Sequence, residues 1–328
     1  MISVVTGATG CLGLNLTRRL IKEGHAVIAL GRNLQLGEII SQIGATFVPL
    51  DLKDLESLSL ISQNADFIFH CAALSSPWGK YKDFYQANVI GTHNVVQATP
   101  SQARLVYVST PSIYFDFTEK HNIKENALLP AKPVNYYVQT KLIAESIVDK
   151  AQLQHDLDVI TIRPRGIFGP YDRAIFPRLL KAERQGVLPI IGSGNHLIDI
   201  TFVENVVESL ILAALADKCY SGKKYNITND EPRTSIDIIS RMFSALNKPL
   251  KTRSIPYNHA RFVAKFLEFL HRLLYLKTEP KITEYGVGVL AFGQTLNIEE
   301  AKKDLKYKPI YSIDEGIMKF AEWYCSCI

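Results

Sequence analysis

The sequence predicts an α/β protein, a doubly wound parallel sheet accompanied by a smaller, mainly helical lobe. Three observations carry that expectation. Strand-like and helix-like segments alternate through the first half of the chain, the strand segments are short unbroken apolar runs, and a Gly-rich turn follows the first of them. Alternating β and α order implies parallel strands joined by helical crossovers, and continuous apolar runs mark strands buried on both faces.

The first strand is ISVVTG, followed by the helix LGLNLTRRLIKEG and the strand HAVIALG. A helix is expected near 34–43, then ATFVPLDL, a helix near 53–62, and the strand DFIFHCAA. DFYQANVIGTHNVVQAT, RLVYVST, NYYVQTKLIAESIVDKAQ and LDVITIRP continue the alternation. Gly and Pro become frequent from Arg165 to Asn195, which marks a boundary. Segments 204–216 and 224–228 read as a helix and strand that return to the first unit. Residues 1–164 with 196–228 are therefore expected to form the nucleotide-binding unit, and 165–195 with 229–328 a substrate lobe, with the substrate in the cleft between them.

At 328 residues, with 47% hydrophobic and 21% charged residues and no low-complexity tract, the chain is globular rather than disordered or repetitive. A net charge of +5 spread over this length gives no reason to expect nucleic acid as a partner. Cys11, Cys71, Cys219, Cys325 and Cys327 are too irregular for a disulfide frame, and no metal site is expected. No basic segment followed by an apolar run opens the chain, so a cytoplasmic, reducing location is expected. The final Cys325–Ile328 fits a prenylation pattern only formally, because its middle positions are not aliphatic.

The apolar run HARFVAKFLEFLHRLLYLK carries Phe262, Phe266, Phe269, Leu270, Leu273 and Leu274 on one wide stripe. Arg261, Lys265, Glu268 and Arg272 interrupt it, so no transmembrane segment is expected. A helix facing the core of the second lobe is the expectation. The alternative is a hydrophobic lid that admits a lipid-like substrate or touches a membrane surface.

Thr6-Gly7-Ala8-Thr9-Gly10-Cys11-Leu12-Gly13 lies between the first strand and the first helix. Glycines there permit a tight turn and close backbone approach, and a helix N-terminus offers free N–H groups, so a dinucleotide pyrophosphate is the expected ligand. Cys11 and Cys71 adjoin motifs, but small buried thiols are usually inert packing. With this G-x-x-G-x-x-G spacing, Asp51-Leu52, His70-Cys71-Ala72-Ala73 and Asn88-Val89-Ile90-Gly91-Thr92, the chain resembles the extended short-chain dehydrogenase/reductases, the NAD-dependent epimerase/dehydratase superfamily. The resemblance covers nearly the whole chain and implies a Rossmann-type fold. It also implies that Asp51 and Leu52 face adenine, that Ala72, Ala73 and Pro164 border the cofactor, and that Thr110 takes the Ser/Thr catalytic position. Dimerisation through the helices bearing Asn88 and Tyr137, common in the family, is implied as well.

Tyr137-Val138-Gln139-Thr140-Lys141 is the Y-x-x-x-K pair. Four-residue spacing puts both side chains on one helix face, so Lys141 is expected to stabilise the phenolate and draw the Tyr137 pKa toward neutrality. Thr110 is expected to orient the substrate oxygen, Lys141 to bind the nicotinamide ribose, and Asn88 to position the Lys141 region. The second strand ends in Gly31-Arg32 without an acid, which favours NADP over NAD, because Arg accommodates a ribose 2′-phosphate and a carboxylate accepts from the 2′-hydroxyl.

Sugar-nucleotide enzymes of the family usually carry an Asn where Gly166 stands and an Arg where Ile198 stands; losing both leaves a diphosphate poorly held. WGKY, STPS, RPRGIFGP and YNITNDEP look most like the 3β-hydroxysteroid dehydrogenase and 2-alkyl-3-ketoalkanoate reductase branch. Trp78, Tyr114, Phe168 and Phe176 are the candidate substrate contacts. The expected activity is reversible hydride transfer between a nicotinamide and a secondary alcohol or ketone on a hydrophobic molecule. A sugar-nucleotide epimerase holding NAD tightly is the alternative, and a cofactor-sensing binding protein is a third reading that the intact Tyr137, Lys141 and Thr110 set disfavours.

Overall fold

The computed structural model describes residues 1–276 and 278–327. Strand β1 (Ile2–Thr6), helix α1 (Cys11–Lys22), β2 (Ala26–Gly31), α2 (Leu34–Gln42), β3 (Thr46–Pro49), α3 (Leu55–Ser62) and β4 (Phe67–His70) open the chain. Helix α4 (Tyr81–Phe84) passes through a π-helical stretch, Tyr85–Ile90, into α5 (Gly91–Ala98), and β5 (Arg104–Val108) follows. Next come β6 (Lys120–Ile123), α6 (Tyr136–His155), β7 (Val159–Pro164), β8 (Ile167–Phe168), α7 (Phe176–Ala182) and β9 (Val187–Ile191). Then follow β10 (Leu197–Ile198), β11 (Thr201–Phe202), α8 (Val203–Leu215), β12 (Lys224–Ile227), β13 (Arg233–Thr234), α9 (Ser235–Ala245) and β14 (Lys251–Ile255). The chain closes with α10 (Tyr257–Leu273), α11 (Glu284–Ala291), β15 (Gln294–Leu296), α12 (Glu299–Asp304) and α13 (Ile313–Ser326).

Seven parallel strands form the central sheet in the order β12-β7-β5-β4-β1-β2-β3. Successive residues of β1 serve opposite faces: Val5 joins the core cluster under α1 and α8, and Val4 joins the one built with Leu105, Ala144 and Val148. Both faces are covered, which is why these strands read as unbroken apolar runs. The order reverses between β1 and β4, the switch point where ligands of such sheets bind beyond the strand ends. Thr6 pairs with Leu30 on one side and His70 on the other, so the Gly-rich turn and the segments after β2 and β4 meet there.

Residues 224–227 return to the sheet beside β7, and α8 packs on α1, β5 and β7. The elements outside it include short strands as well as helices: a four-stranded sheet in the order β13-β10-β15-β6, and the pairs β8–β11 and β9–β14.

Helix α10 departs from the expectation of a core-facing stripe. Its buried side is Ala260 and Ala264, small enough to let α10 lie along α11. Phe262, Phe266, Phe269 and Leu273, spaced to share one face, point outward and are 72%, 52%, 60% and 58% exposed. Periodicity shows that a helix has an apolar stripe, but the neighbouring elements decide which side is covered. Among the described residues no helix is long and apolar enough to cross a membrane. Lys277 at the end of that run, and Ile328 of the C-terminal tetrad, lie outside the described residues.

Candidate active site

The turn after β1 is shaped for close backbone approach. Gly7 has φ +68°, and a Cβ there would lie 2.7 Å from Ala72 Cα. A Cβ on Gly13 would fall 2.3 Å from the Gly7 carbonyl oxygen, so both positions require glycine. Gly10 begins α1 without a side-chain cap, and no acid occupies the first turn. The N–H groups of Cys11 and Leu12 and the positive dipole end are therefore free to meet an anion, with Thr9 beside them. Burial pushes the thiols of Cys11 and Cys71 well up, so both stay neutral and act as packing. Arg32 is exposed just past β2, and Asp51 is exposed past β3 with Leu52 packed beneath it. These residues fit a dinucleotide.

His70 closes the floor of the site. Its ring is held between the Thr6 hydroxyl at 2.8 Å and the Thr92 hydroxyl at 3.0 Å. Burial, aided by the Lys141 charge, pushes its pKa down to about 3, so the ring is neutral. Asn88, in the π-helical stretch, accepts from the Leu74 N–H at 2.7 Å and donates to the Thr140 hydroxyl at 3.0 Å. It thereby ties the segment after β4 to α6 beside Lys141.

Helix α6 starts on Asn135, whose side chain accepts from the Val138 N–H at 2.9 Å. Tyr137, Lys141 and Glu145 follow at four-residue spacing. Lys141 Nζ donates to the Val108 carbonyl at 2.8 Å and lies 4.3 Å from the centre of the Tyr107 ring. Burial pushes Lys141 down to about 7, against the pull of Glu145. Tyr137 behaves differently from the expectation: burial pushes its hydroxyl up to about 12, with Thr110 pulling the other way. The Lys141 ammonium itself is engaged by the Val108 carbonyl and the Tyr107 ring. The phenol is protonated at neutral pH and so suited to give a proton.

A buried ion pair underlies this set. Arg163 donates to Glu145 from Nε at 3.0 Å and from Nη2 at 2.5 Å, and Ser109 Oγ donates to the same carboxylate. Arg163 also donates to the Tyr114 hydroxyl at 2.5 Å, and Tyr114 donates to Asn226 at 3.2 Å. Tyr114, expected as a substrate contact, is instead buried as a partner of the ion pair.

Phe168 and Phe176, also expected as substrate contacts, belong to the core. Both are fully buried and packed on each other at 5.1 Å between ring centres, with Phe202 and Phe320 closing around them. Pro164 ends β7 beside Ile227. Trp78 is half-buried and meets α10, with Arg272 5.2 Å over its ring and His271 edge-on at 6.2 Å.

Sequence reasoning overlooked three groups that the fold brings to the catalytic end. Thr110 Oγ1 donates to Ser112 Oγ at 3.1 Å, and the hydroxyl of Tyr285 on α11 donates to the same oxygen at 2.9 Å. Tyr285 belongs to no motif and lies far along the chain, so no local signal marks it. Glu145 was legible as the third member of the Tyr137–Lys141 helix face. The third, Arg165, lies within the RPRGIFGP run.

Residues 3–228 match the NAD dependent epimerase/dehydratase family. The chain belongs to that family. Among its relatives, a 2-alkyl-3-oxoalkanoate reductase of Shewanella oneidensis is 33% identical over 96% of this chain and 84% of its own. A decarboxylating sterol-4-alpha-carboxylate 3-dehydrogenase of Mus musculus is 31% identical over 95% of this chain and 88% of its own. The crystal structure of UDP-glucuronic acid 4-epimerase from Bacillus cereus in complex with NAD superimposes with a TM-score of 0.79 at 22% identity, covering 100% of this chain and 99% of that one. In this epimerase/dehydratase-family chain, that likeness establishes the Rossmann-type architecture.

Proposed function

We propose that the protein is an NADP-preferring oxidoreductase that interconverts a secondary alcohol and a ketone on a hydrophobic substrate. The observation that carries this reading is Tyr137 and Lys141 four residues apart on α6, with Thr110 close enough to act on the Tyr137 hydroxyl and Lys141 close enough to act on His70 and Cys71. The names of the two enzymatic relatives, a 3-oxoalkanoate reductase and a carboxylate 3-dehydrogenase, support the same reaction class. Gly166, with φ +54°, and Ile198 provide no polar side chain for a sugar diphosphate, which weighs against the epimerase reading.

A nicotinamide dinucleotide held by the Gly7–Gly13 turn would supply or accept the hydride. Tyr137 gives its phenolic proton to the developing alkoxide during reduction and removes it during oxidation. Thr110 holds the substrate oxygen beside Tyr137, and Lys141 supplies the positive charge that steadies the phenolate. The test is oxidation of added NADPH and NADH by the purified protein with 2-alkyl-3-oxo acids, 3-ketosteroids and UDP-sugars. Turnover of the apolar ketones is expected; conversion of UDP-sugars alone would overturn the reading.

Two further outcomes follow. Arg32→Ala should raise KM for NADPH about 10- to 100-fold and leave KM for NADH near its original value, since a charge-assisted hydrogen bond is lost only with the phosphate. Equal effects on both cofactors would count against a role in phosphate recognition. The reduction rate should fall as pH rises through about 7, where Lys141 loses its charge, and the fall should vanish in Lys141→Met on a lower baseline. Initial rates from pH 5.5 to 9 would show it.

A further inference from the structure

Arg165 stands where β7 ends. In the ladder between β5 and β7, Val108 faces Ile162, and the Ser109 N–H donates to the Ile162 carbonyl at 2.7 Å. The two strands therefore leave the sheet side by side, one leading to Thr110 and the other to Arg165. The backbone at Arg165 is fixed on both sides: its N–H donates to the Ile227 carbonyl at 3.0 Å, and its own carbonyl accepts from the Thr201 hydroxyl at 2.5 Å.

Its side chain is unlike that of Arg163, two residues earlier. Arg163 is saturated by Glu145, Tyr114 and the Glu125 carbonyl. Arg165 is 9% exposed, yet among the described residues its guanidinium donates no hydrogen bond and has no carboxylate within 4.0 Å, and its Nε is fully enclosed without a partner. Two groups feel its charge, Asp199 and Tyr285. Asp199 forms no ion pair with it within 4.0 Å and accepts instead from the Leu296 N–H at 2.7 Å. Tyr285 reaches toward Ser112 and through it toward Thr110.

A largely buried guanidinium whose enclosed Nε has no acceptor is costly to fold, and a bound anion is one way in which such a group is completed. Its planar fork matches a carboxylate or a phosphate, and the hydrophobic-ketone reading above selects the carboxylate. We propose that Arg165 is a carboxylate-binding site in the catalytic cleft, seating a substrate whose carboxylate lies close to the reacting carbon, as in a 3-oxo or 3-hydroxy acid. This deepens the hydride-transfer reading and rests on it for the identity of the reacting carbon.

The test compares the full-length protein with Arg165→Met and Arg165→Lys, using 3-hydroxydodecanoate and its methyl ester as probes with NADP+. In the unaltered protein the acid should show the lower KM. Arg165→Met should raise KM for the acid about 10- to 100-fold while changing the ester little, and Arg165→Lys should recover part of the loss. Acid and ester affected alike would overturn the proposal.

Calorimetric binding of 3-hydroxydodecanoate separates the two readings. Arg165-dependent binding without turnover would sink the hydride-transfer assignment and keep the anchor; turnover without that dependence would do the reverse. The melting temperature of Arg165→Met is expected to equal or exceed that of the unaltered protein, because an unpaired buried charge is removed. A clear loss of stability would assign Arg165 to the scaffold and overturn the proposal.

Discussion

Replacing Tyr137 with Phe should lower turnover about 10²- to 10⁴-fold, the range that a positioned acid–base group supplies. The ring remains in place on α6, so the turn around Gly7, Gly10 and Gly13 is undisturbed and cofactor affinity should stay near its original level. Burial keeps the phenol protonated across the neutral range. In the oxidation direction its conjugate base is therefore scarce, and the rate should climb as the solution becomes alkaline. Cofactor titration by fluorescence, alongside single-turnover rates, checks both halves; unchanged turnover in Tyr137→Phe would defeat the assignment.

Glu145→Gln should be the most destabilising conservative change near the site. Glu145 and Arg163 are each 5% exposed at the side chain, and Lys224 Nζ lies 3.5 Å from the same carboxylate. Removing one partner leaves the other charge buried without compensation, which costs about 3–5 kcal/mol. For a chain of this size the melting temperature should drop by about 4–7 °C. Differential scanning calorimetry would measure it, and a loss no larger than that of an exposed pair would overturn the account.

Burial by itself would raise the Glu145 pKa, but hydrogen bonds and charge from Arg163, then Ser109 and Lys224, hold it below the usual carboxylate range. The pair therefore contributes fully above the ordinary glutamate pKa, and the contribution is lost as pH falls through the lowered value of the folded protein. Glu145→Gln should correspondingly show a shallower acid limb of unfolding. Glu145 also supports the charge on Lys141. Its loss should move the fall in reduction rate to lower pH.

The features legible in advance are those set by local chemistry. Gly7 and Gly13 declare themselves because only glycine fits where a backbone must come so close. Tyr137 and Lys141 declare themselves because helix periodicity alone places them on one face, and the parallel sheet follows from apolar runs buried on two sides. The aromatic residues misled. Tyr114, Phe168 and Phe176 are large and apolar enough to line a pocket or a core, and size alone does not separate the two.

The sequence by itself determined the sheet, the cofactor turn and the residues offered for proton transfer, because each depends on neighbours within one helix or one turn. Tertiary structure alone decided the rest. It faced the stripe of α10 outward, engaged Lys141 with Val108, paired Arg163, left Arg165 without a partner among the described residues, and brought Tyr285 of α11 to Ser112. Those outcomes turn on which distant segments pack together, and with that on where burial strips water from a charge.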